Sequence, residues 1–366
     1  MAHIDVDMKY LRMALRLAEK AKGRTSPNPM VGAVVVKSGR VISRGYHEKA
    51  GMPHAEAVAL RKAGRAAKGA TLYVTLEPCS HTNKRTPPCC PLIIQHGIRR
   101  VVVAMIDPNP HVSGDGIRKL KAAGIEVITG VLGDEAKQLN EAFVKHVTTR
   151  KPFVTLKIAQ TLDGKIATAS GESQWITGEQ ARMEGHRLRD SHDAVLVGIN
   201  TVLNDDPALT TRILRGRDPV RVIVDSNLRI PLKARVLTQR SAARTIVATV
   251  STAKQKLAAL ETAGAEILRT KSRQGRVDLQ DLMKKLGQRD IMSVLIEGGS
   301  EINSSALKAG IVDKVVLFLA PLLMRGKDSI CSIGGLCPPR LNQAVRLEDL
   351  SVQFVGKDLM VTGYVR

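Results

Sequence analysis

Apolar residues in the first third of the chain recur with two periods, one helical and one extended. Met8, Leu11, Leu15 and Ala18 would share one face of a helix that Gly23 ends. Short apolar runs separated by turns predict strands that alternate with further helices. The predicted strands span residues 31–36, 41–46, 70–76, 101–106 and 125–129, and the predicted helices span residues 8–21, 54–64, 90–96 and 117–123. This alternation predicts an α/β domain in which helices cover a sheet in layers.

The same alternation restarts after a break at Pro152. A connecting helix is predicted over residues 135–147, and a junction over residues 148–152. Beyond the junction, the predicted strands span 153–159, 194–198, 220–225, 245–249, 266–268, 293–297, 314–320 and 358–364, and the predicted helices span 178–189, 253–263, 279–286 and 300–309. A chain of 366 residues exceeds what one hydrophobic core usually organises. We therefore expect an α/β protein with two domains, at residues 1–147 and 148–366.

Composition narrows the class of protein without deciding its function. Hydrophobic residues make up 43% and charged residues 25%, which is typical of a soluble globular protein, whereas aromatic residues make up only 2%. The net charge of +22 would attract nucleic acid, anionic membranes or phosphorylated metabolites. The 56 Lys and Arg are scattered along the chain, however, and this favours a generally basic surface over a specific binding patch. The N-terminus carries early charges, and no apolar run approaches membrane-spanning length. We expect a cytoplasmic protein with no membrane partner.

A cluster of metal-ligand residues is the sharpest chemical signal. The five cysteines, an odd number, partly cluster with His and Glu, which favours a metal site in a reducing compartment over a disulfide framework. His54, Cys79 and Cys89 offer one imidazole and two thiolates to Zn²⁺ and leave a fourth position for water. The metal lowers the pKa of such a water from about 16 towards 7. Glu56, two residues past the histidine, is the candidate catalytic proton shuttle.

These four residues follow the His-x-Glu and Pro-Cys order of zinc-dependent nucleobase deaminases. The pattern departs at the second cysteine, because nine residues rather than two separate Cys79 from Cys89. Taken singly, His-x-Glu often begins a helix, and a lone cysteine is often a small buried apolar side chain. Four such residues in the right order favour the zinc interpretation. Cys90 is left out of the ligand set as a packing neighbour.

The cluster, with the segments SPNP at 26–29, VGAV at 31–34 and DPNP at 107–110, resembles the deaminase half of the bifunctional riboflavin biosynthesis proteins. The resemblance implies a cytidine-deaminase-like α/β/α fold. It also implies that the substrate is a diaminopyrimidinone carrying a ribosylamino phosphate, which loses its exocyclic amine as ammonia. Asn28 would hold the pyrimidine, and Arg85 would contact the phosphate or the pocket. A solvated loop charge explains Arg85 nearly as well.

Segments of the second half resemble, in order, the reductase half of the same family. They are KIA at 157–159, TLDGK at 161–165, GESQWIT at 171–177, DDP at 205–207, DS at 225–226 and EGG at 297–299. The resemblance implies a dihydrofolate-reductase-like α/β fold, and NADPH bound by Ala159, Trp175, Thr201, Asp205, Ser226 and Gly299. The implied substrate contacts, with both arginines facing its phosphate, are Ser173, Arg189, Leu209, Arg212 and Glu297. The resemblance then covers essentially the whole chain.

The second half also carries chemistry that can be argued without the family. A Glu-Gly-Gly turn between a strand and a helix lets backbone N–H groups approach an anion, although such turns also use glycine for geometry alone. No Gly-x-Gly-x-x-Gly segment occurs, which argues against a Rossmann domain. The resemblance, not the residue pattern, implies hydride transfer to the ribose C1, which would open the sugar to a ribityl chain. Lys157 and Asp205 are candidates for proton transfer near that carbon. Alternatively, they form a salt-bridged or capping pair, and the DDP segment at 205–207 taken alone is typical of an ordinary turn. Cys331 and Cys337 are interpreted as structural or free thiols.

Two other functions fit parts of the sequence. A zinc deaminase of tRNA or DNA would use the charge of +22 to bind the phosphate backbone. The long cysteine loop, the few aromatic residues and the second domain favour a small phosphorylated pyrimidine instead, so no nucleic-acid partner is expected. An inactive scaffold is disfavoured because the ligands and Glu56 are all present. The resemblance also leads us to expect a homo-oligomer, either a dimer or a tetramer.

Overall fold

The computed structural model describes residues 2–80, 87–110 and 112–366, and the chain divides into two compact units, Met1–Arg150 and Lys151–Arg366. The predicted boundary after residue 147 falls in the last turn of the helix that ends the first unit. Each unit has its own main sheet. Within the described ranges, no helix is long and apolar enough to cross a membrane.

The first unit is built on a five-stranded sheet. Its elements are α1 (Ala2–Glu19), β1 (Gly32–Lys37), β2 (Arg40–Tyr46), α2 (Ala55–Ala63), a 3₁₀ turn (Gly64–Ala67), β3 (Thr71–Leu76), α3 (Cys89–Gln95), β4 (Arg100–Met105), α4 (Asp115–Ala122), β5 (Glu126–Thr129), α5 (Gly133–Leu139) and α6 (Glu141–Thr149). The strand order is β2-β1-β3-β4-β5. β1 pairs antiparallel with β2 and β3, whereas β3, β4 and β5 run parallel.

Helices cover both faces of this sheet. Ala33, Val34, Val35 and Val36 of β1 are all buried, although successive side chains of a strand point to opposite faces. α1 contacts α5, while α2 contacts α3 and α3 contacts α4, and each group also contacts the sheet. The predicted α/β/α layering is confirmed.

The second unit is built on a nine-stranded sheet. Its elements are β6 (Phe153–Thr161), β7 (Lys165–Ala167), α7 (Glu179–Ser191), β8 (Ala194–Gly198), α8 (Ile199–Asp205), β9 (Val220–Val224), α9 (Arg235–Thr238), β10 (Thr245–Thr249), α10 (Lys254–Thr262), β11 (Ala265–Arg269), β12 (Ser272–Arg273), β13 (Arg276–Val277), α11 (Leu279–Gly287), β14 (Ser293–Ile296), α12 (Ser300–Lys308), β15 (Lys314–Ala320), β16 (Ile330–Cys331), a 3₁₀ turn (Leu341–Gln343), β17 (Leu347–Val355) and β18 (Asp358–Val365). The strand order is β11-β10-β9-β8-β14-β6-β15-β18-β17.

The strands from β11 to β15 are parallel, and β18 and β17 continue the sheet antiparallel. Alternate residues of β8 enter different apolar clusters: Leu196 packs in one, and Val195 and Val197 pack in the other. The strands are therefore buried on both faces, as parallel strands usually are. Ligands of such sheets bind beyond the carboxyl ends of the strands, here the ends of β6, β14, β8 and β9.

The prediction of one helix over residues 135–147 is wrong. The helix is interrupted at Asn140, whose backbone (φ −109°, ψ 24°) separates α5 from α6. Asn140 is 2% exposed, and its side chain bonds both backbone groups of Met30, accepting from N at 2.8 Å and donating to O at 3.0 Å. This long-range contact, which periodicity cannot reveal, holds the segment that follows Asn28.

The sequence prediction also missed an edge strand, β17. Its Leu350, Val352 and Phe354 alternate as a strand should, but all three are more than half exposed. Because the strand buries little, it lacks the continuous apolar run that marked the central strands.

Candidate active sites

Three elements of the first unit meet where the predicted zinc ligands lie. His54 immediately precedes α2, Cys79 follows β3 after two residues, and Cys89 begins α3. The backbone joins the two cysteine segments, because the N–H groups of Cys89 and Cys90 donate to the Cys79 carbonyl oxygen at 3.0 and 3.1 Å. The nine-residue loop thus returns beside its starting point.

The ligand atoms are close enough to share one metal ion. His54 Nδ1 lies 3.5 Å from Cys79 Sγ and 3.4 Å from Cys89 Sγ, and the three atoms lie within 4.8 Å of one another. A tetrahedral zinc ion with ordinary bond lengths requires N···S separations of about 3.6 Å. Donor types and spacing both fit zinc, with one coordination position left for water or substrate.

The pKa values of the two thiols shift in opposite directions. A hydrogen bond from the Cys89 thiol is the main cause that lowers the pKa of Cys79 to about 4, against the opposing effect of burial. The same hydrogen bond, with burial, raises the pKa of Cys89. Glu56 lies in the first turn of α2 and is 3% exposed. Burial is the main cause that raises its pKa, and the Cys79 thiolate adds to this effect. A carboxyl with a raised pKa can both accept and release a proton.

His47, which the sequence prediction missed, lies beside the metal ligands. Its ring is 2% exposed and packs edge-on against His54 with centroids 5.5 Å apart. Its Nδ1 lies 3.2 Å from the Pro53 carbonyl oxygen and therefore donates, which leaves Nε2 to accept from the Asn28 amide at 3.1 Å. Asn28, the predicted pyrimidine contact, is thereby fixed next to the site. A histidine directly after β2 was the available signal in the sequence.

Glu77 holds the loop on the other side of Cys79. The carboxylate is 5% exposed and accepts four backbone N–H groups, from Asp107 at 3.1 Å, Gly114 at 3.0 Å, Gly116 at 2.8 Å and Ile117 at 3.3 Å. These donors lie in the loop between β4 and α4 and at the start of α4. The sequence prediction noted Glu77 only as part of a motif, because its partners are distant along the chain.

The start of α4 packs directly on the cysteine segment. A Cβ on Gly116 would lie 2.0 Å from the Pro78 carbonyl oxygen, so only glycine fits there. Glu77, Cys79 and Asp107 help to line a small cavity at this contact. The loop after β4 therefore forms a wall beside the metal ligands.

Two further predictions concern this unit. Arg85 lies outside the described residues. Cys90 is fully buried, and its thiol donates to the Pro78 carbonyl oxygen at 3.2 Å. That contact accounts for Cys90 as a packing neighbour of the ligand Cys89.

The second unit contains a cavity of about 1050 Å³ at the carboxyl ends of β6, β8, β9 and β14. Its volume is at the upper end for ligand sites, which leaves room for a dinucleotide together with a substrate. Most residues predicted to bind cofactor or substrate border it, and so does the catalytic candidate Lys157. The predicted contacts that border it are Ala159, Ser173, Trp175, Thr201, Asp205, Ser226, Glu297 and Gly299.

Glu297 is the centre of a buried charge cluster at this cavity. Arg189 donates to both of its carboxylate oxygens, at 2.6 and 2.9 Å, and Lys157 Nζ lies 3.6 Å away. Burial alone would raise the pKa of Glu297, but the two cations together lower it to about 2. Burial lowers the pKa of Lys157, while Glu297 opposes that shift. Lys157 is thus a cation whose proton is held less tightly than usual, at the wall of the cavity.

Three predicted substrate contacts, although described by the structure, are not among the described residues that border this cavity. Arg189 stands behind Glu297, and its third nitrogen donates to the Thr210 carbonyl oxygen at 3.0 Å. Leu209 is 3% exposed and belongs to an apolar cluster, and Arg212 is exposed. Direct contact of these three residues with substrate stays a prediction.

The Glu-Gly-Gly turn connects β14 to α12. A Cβ on Gly298 would lie 1.7 Å from Ile302 Cγ2, so the close approach of the turn to its own helix requires glycine. Gly299 precedes α12 in extended conformation, and Gly299, Ser300 and Glu301 border the cavity. Unpaired N–H groups at a helix start favour an anion. The turn therefore fits a dinucleotide phosphate.

Trp175 forms part of the cavity wall and is 65% exposed. The guanidinium of Arg182 lies 4.7 Å from its ring centroid. The pair offers a flat surface at the cavity wall, and the binding role predicted for Trp175 stays a prediction. Asp205, at the end of α8, is exposed on the same cavity.

Family comparisons match both units. Residues 4–105 match the zinc-binding region of cytidine and deoxycytidylate deaminases, and residues 152–361 match the RibD C-terminal domain. The riboflavin biosynthesis protein RibD of Aquifex aeolicus is 48% identical over 98% of this chain and 98% of its own length. RibD of Actinobacillus pleuropneumoniae is 45% identical over 97% of this chain and 94% of its own.

Solved structures agree over the full chain. RibD of Acinetobacter baumannii superposes with a TM-score of 0.89 at 38% identity and covers 99% of each chain. A Thermotoga maritima protein, described as a diaminohydroxyphosphoribosylaminopyrimidine deaminase and 5-amino-6-(5-phosphoribosylamino)uracil reductase, has a TM-score of 0.87 at 41% identity and full coverage of both chains. The predicted fold class, cytidine-deaminase-like followed by dihydrofolate-reductase-like, is confirmed.

Proposed function

Because the chain belongs to the RibD family of bifunctional riboflavin biosynthesis deaminases and reductases, we propose a specific reaction for each of its units. Residues 1–147 form a zinc-dependent pyrimidine deaminase, and residues 148–366 form an NADPH-dependent reductase. The first unit converts a diaminopyrimidinone carrying a ribosylamino phosphate to the corresponding aminouracil. The second unit then reduces the ribose to a ribityl chain.

The deaminase site is built on His54, Cys79 and Cys89, which would hold the zinc ion. When bound there, zinc would supply an activated water for attack on the ring carbon that bears the amine. Glu56 takes a proton from that water and delivers it to the departing amine, so water and substrate yield a ring carbonyl and ammonia. The buried position of Glu56 supports this role, because its raised pKa suits a group that must accept and release a proton. Asn28, held by His47, orients the pyrimidine, and Arg85 remains a candidate contact of the phosphate.

The observation that carries this proposal is the spacing of three ligand atoms around one point, with a buried carboxylate on the same helix start.

The reductase site is built on the cavity that Ala159, Trp175, Thr201, Ser226 and Gly299 line. A nicotinamide bound in this cavity would supply the hydride for the ribose C1. The bond between C1 and the ring oxygen breaks, and that oxygen takes up a proton. Lys157 is the proposed donor, and Asp205 is an alternative on the same cavity. The burial that lowers the pKa of Lys157 supports proton release from this lysine.

Substrate contacts in this unit fall into two groups. Ser173 and Glu297 border the cavity and would touch the ribosyl group directly. Arg189 holds Glu297 through two hydrogen bonds, which supports a positioning role beside the phosphate contact predicted for it. Leu209 and Arg212 keep their predicted roles at the phosphate end of the substrate.

A homodimer is the proposed assembly, formed through the edge strand β17. Leu350, Val352 and Phe354 share one face of this strand and are 62%, 62% and 80% exposed. Exposed apolar edge strands commonly pair with another chain. Sedimentation velocity should show a dimer for the wild type and a monomer for Phe354→Glu. A wild-type monomer would contradict this assembly.

A cytoplasmic location is also proposed. A site built on thiolates that bind zinc and a site for a nicotinamide cofactor both support a reducing compartment.

The decisive experiment follows ammonia release and NADPH absorbance with the diaminopyrimidinone ribosylamino phosphate as substrate. We expect ammonia without NADPH, and NADPH oxidation only after deamination. Glu56→Gln should lose ammonia release, retain zinc and still reduce the deaminated substrate, whereas the matched surface change Glu19→Gln should alter neither reaction. Zinc-replete wild type that releases no ammonia would sink the proposed deaminase substrate.

A further inference from the structure

We propose that Arg229 and Arg276 bind the 2′-phosphate that distinguishes NADPH from NADH, and so set the cofactor preference of the second unit. This inference rests on the proposed reductase function and adds the residues that would recognise the phosphate. Neither arginine lies in the segments that carry the family resemblance, yet both border the large cavity.

The order of the strands determines how an extended dinucleotide would lie in the cavity. β9, β8, β14 and β6 are adjacent and parallel, so their carboxyl ends form one edge. Lys157 lies on β6 and Glu297 follows β14, which places the reacting ring of the cofactor on that side. Ser226 lies just past β9, two strands from β14. At ordinary strand spacing the two strand ends are about 10 Å apart.

The diphosphate of the cofactor would lie between these two ends. The start of α12, with Gly299, Ser300 and Glu301 on the cavity wall, is the anion site that follows β14. With the nicotinamide on the Lys157 side of the diphosphate, the adenosine would extend to the other side, towards β9. The adenosine ribose would therefore reach the segment around Ser226, which borders the cavity.

Two arginines flank that segment. The Val277 N–H donates to Ser226 Oγ at 3.0 Å, which joins the turn after β9 to the short β12–β13 hairpin. Arg229 extends from the turn and Arg276 from the hairpin, and both border the cavity. Guanidinium groups from two separate elements can bind one phosphate through several charge-assisted hydrogen bonds.

The charges of both arginines remain available to a ligand. Arg229 donates to the neutral amide oxygen of Asn200 at 2.5 Å. Arg276 Nη1 lies 4.0 Å from Glu301, and the two side chains are 73% and 71% exposed. Exposed pairs at such a distance contribute little, so a phosphate dianion can displace Glu301 from Arg276.

A site built for NADH would instead present a carboxylate to the ribose hydroxyls. Asp225, at the end of β9, holds the corresponding position in the chain. It is fully buried, and its Oδ2 accepts the Ile230 N–H at 2.8 Å. One oxygen of this carboxylate therefore stabilises the turn that carries Arg229, whereas its Oδ1 has no hydrogen-bond partner among the described residues and Asp225 borders the cavity beside the two arginines.

Binding of adenosine 2′,5′-bisphosphate and of AMP to the full chain tests the inference, because the two ligands differ only in the 2′-phosphate. By calorimetry, wild type should bind the bisphosphate at least about tenfold more tightly than AMP. Arg229→Gln and Arg276→Gln should each lose most of that difference and leave the affinity for AMP unchanged. Arg240→Gln, an exposed arginine of the same unit, removes the same charge elsewhere and should change neither affinity.

Unchanged AMP binding also shows that each variant has a folded site. The inference is overturned if both variants bind the bisphosphate as wild type does, or if they lose both ligands equally. Wild type that reduces the deaminated substrate equally well with NADH and NADPH would also overturn it while leaving the reductase function intact. Oxidation of neither cofactor would contradict the proposed reductase function itself.

Discussion

Replacing Glu77 by glutamine tests how the wall of the deaminase site is held. In the wild type, Oε1 accepts the N–H groups of Gly116 and Ile117, and Oε2 accepts those of Asp107 and Gly114. Glutamine has the same shape, but its amide nitrogen can only donate. Two of the four backbone donors would therefore face another donor, whichever way the amide is turned.

The expected cost follows from the number of bonds lost. A hydrogen bond to a charged acceptor contributes about 1.5–3 kcal/mol, so the loss of two costs about 3–6 kcal/mol, and the remaining two weaken as the charge is removed. No discount for solvent applies, because Glu77 is 5% exposed. The zinc ligands should stay in place, since the Cys79 carbonyl accepts the N–H of Cys89 independently of Glu77.

Denaturant unfolding, zinc content and deamination kinetics together provide the assay. We expect a lower free energy of unfolding for the first unit, full zinc content, and a lower kcat/KM for deamination with reduction unchanged. Asp115→Asn is the control, because Asp115 pairs with Arg118 on the surface of α4 and its removal should cost less than about 1 kcal/mol. A Glu77→Gln protein as stable as this control would refute the reasoning.

Three other predictions concern the second unit. Glu297 has a pKa lowered to about 2 from an ordinary 4.5, so it stabilises the fold above about pH 4.5, and this stability should disappear as pH falls towards 2 in urea titrations at each pH. Arg189→Met should raise the pKa of Glu297 and lower the free energy of unfolding by about 3–5 kcal/mol, because it leaves a buried carboxylate with one cation. Denaturant unfolding measures this loss, and a loss below about 1 kcal/mol would contradict the prediction. Gly298→Ala should abolish dinucleotide binding in calorimetry, because the added Cβ would lie 1.7 Å from Ile302.

Most elements of the fold could be predicted because their apolar patterns are local. The parallel strands are buried on both faces, so β8, β10 and β14 stand out as short runs between turns. The break at Asn140 could not be predicted, since its cause is a pair of hydrogen bonds to Met30. A helical pattern in sequence contains no record of such a contact.

The site residues also differ in whether the sequence alone could identify them. His54, Cys79 and Cys89 were found because metal ligands are recognisable by residue type and order. His47 and Glu77 were missed because a histidine or glutamate acquires meaning only from what it contacts. The role of Arg189 behind Glu297 was likewise hidden, as 108 residues separate the two along the chain.

The two units place a glutamate at equivalent points, and this shared feature explains why substitution should act differently in each. Glu77 directly follows the buried parallel strand β3, and Glu297 directly follows β14. A buried carboxylate at a strand end is costly unless its charge is balanced. Backbone N–H groups balance Glu77, so glutamine there disturbs the loop that supplies them. Cations balance Glu297, so glutamine there leaves Lys157 and Arg189 facing each other without an anion, and the pKa of Lys157, already lowered by burial, should fall further. The first glutamate therefore acts on the shape of its site, and the second acts on the proton that its neighbour can release.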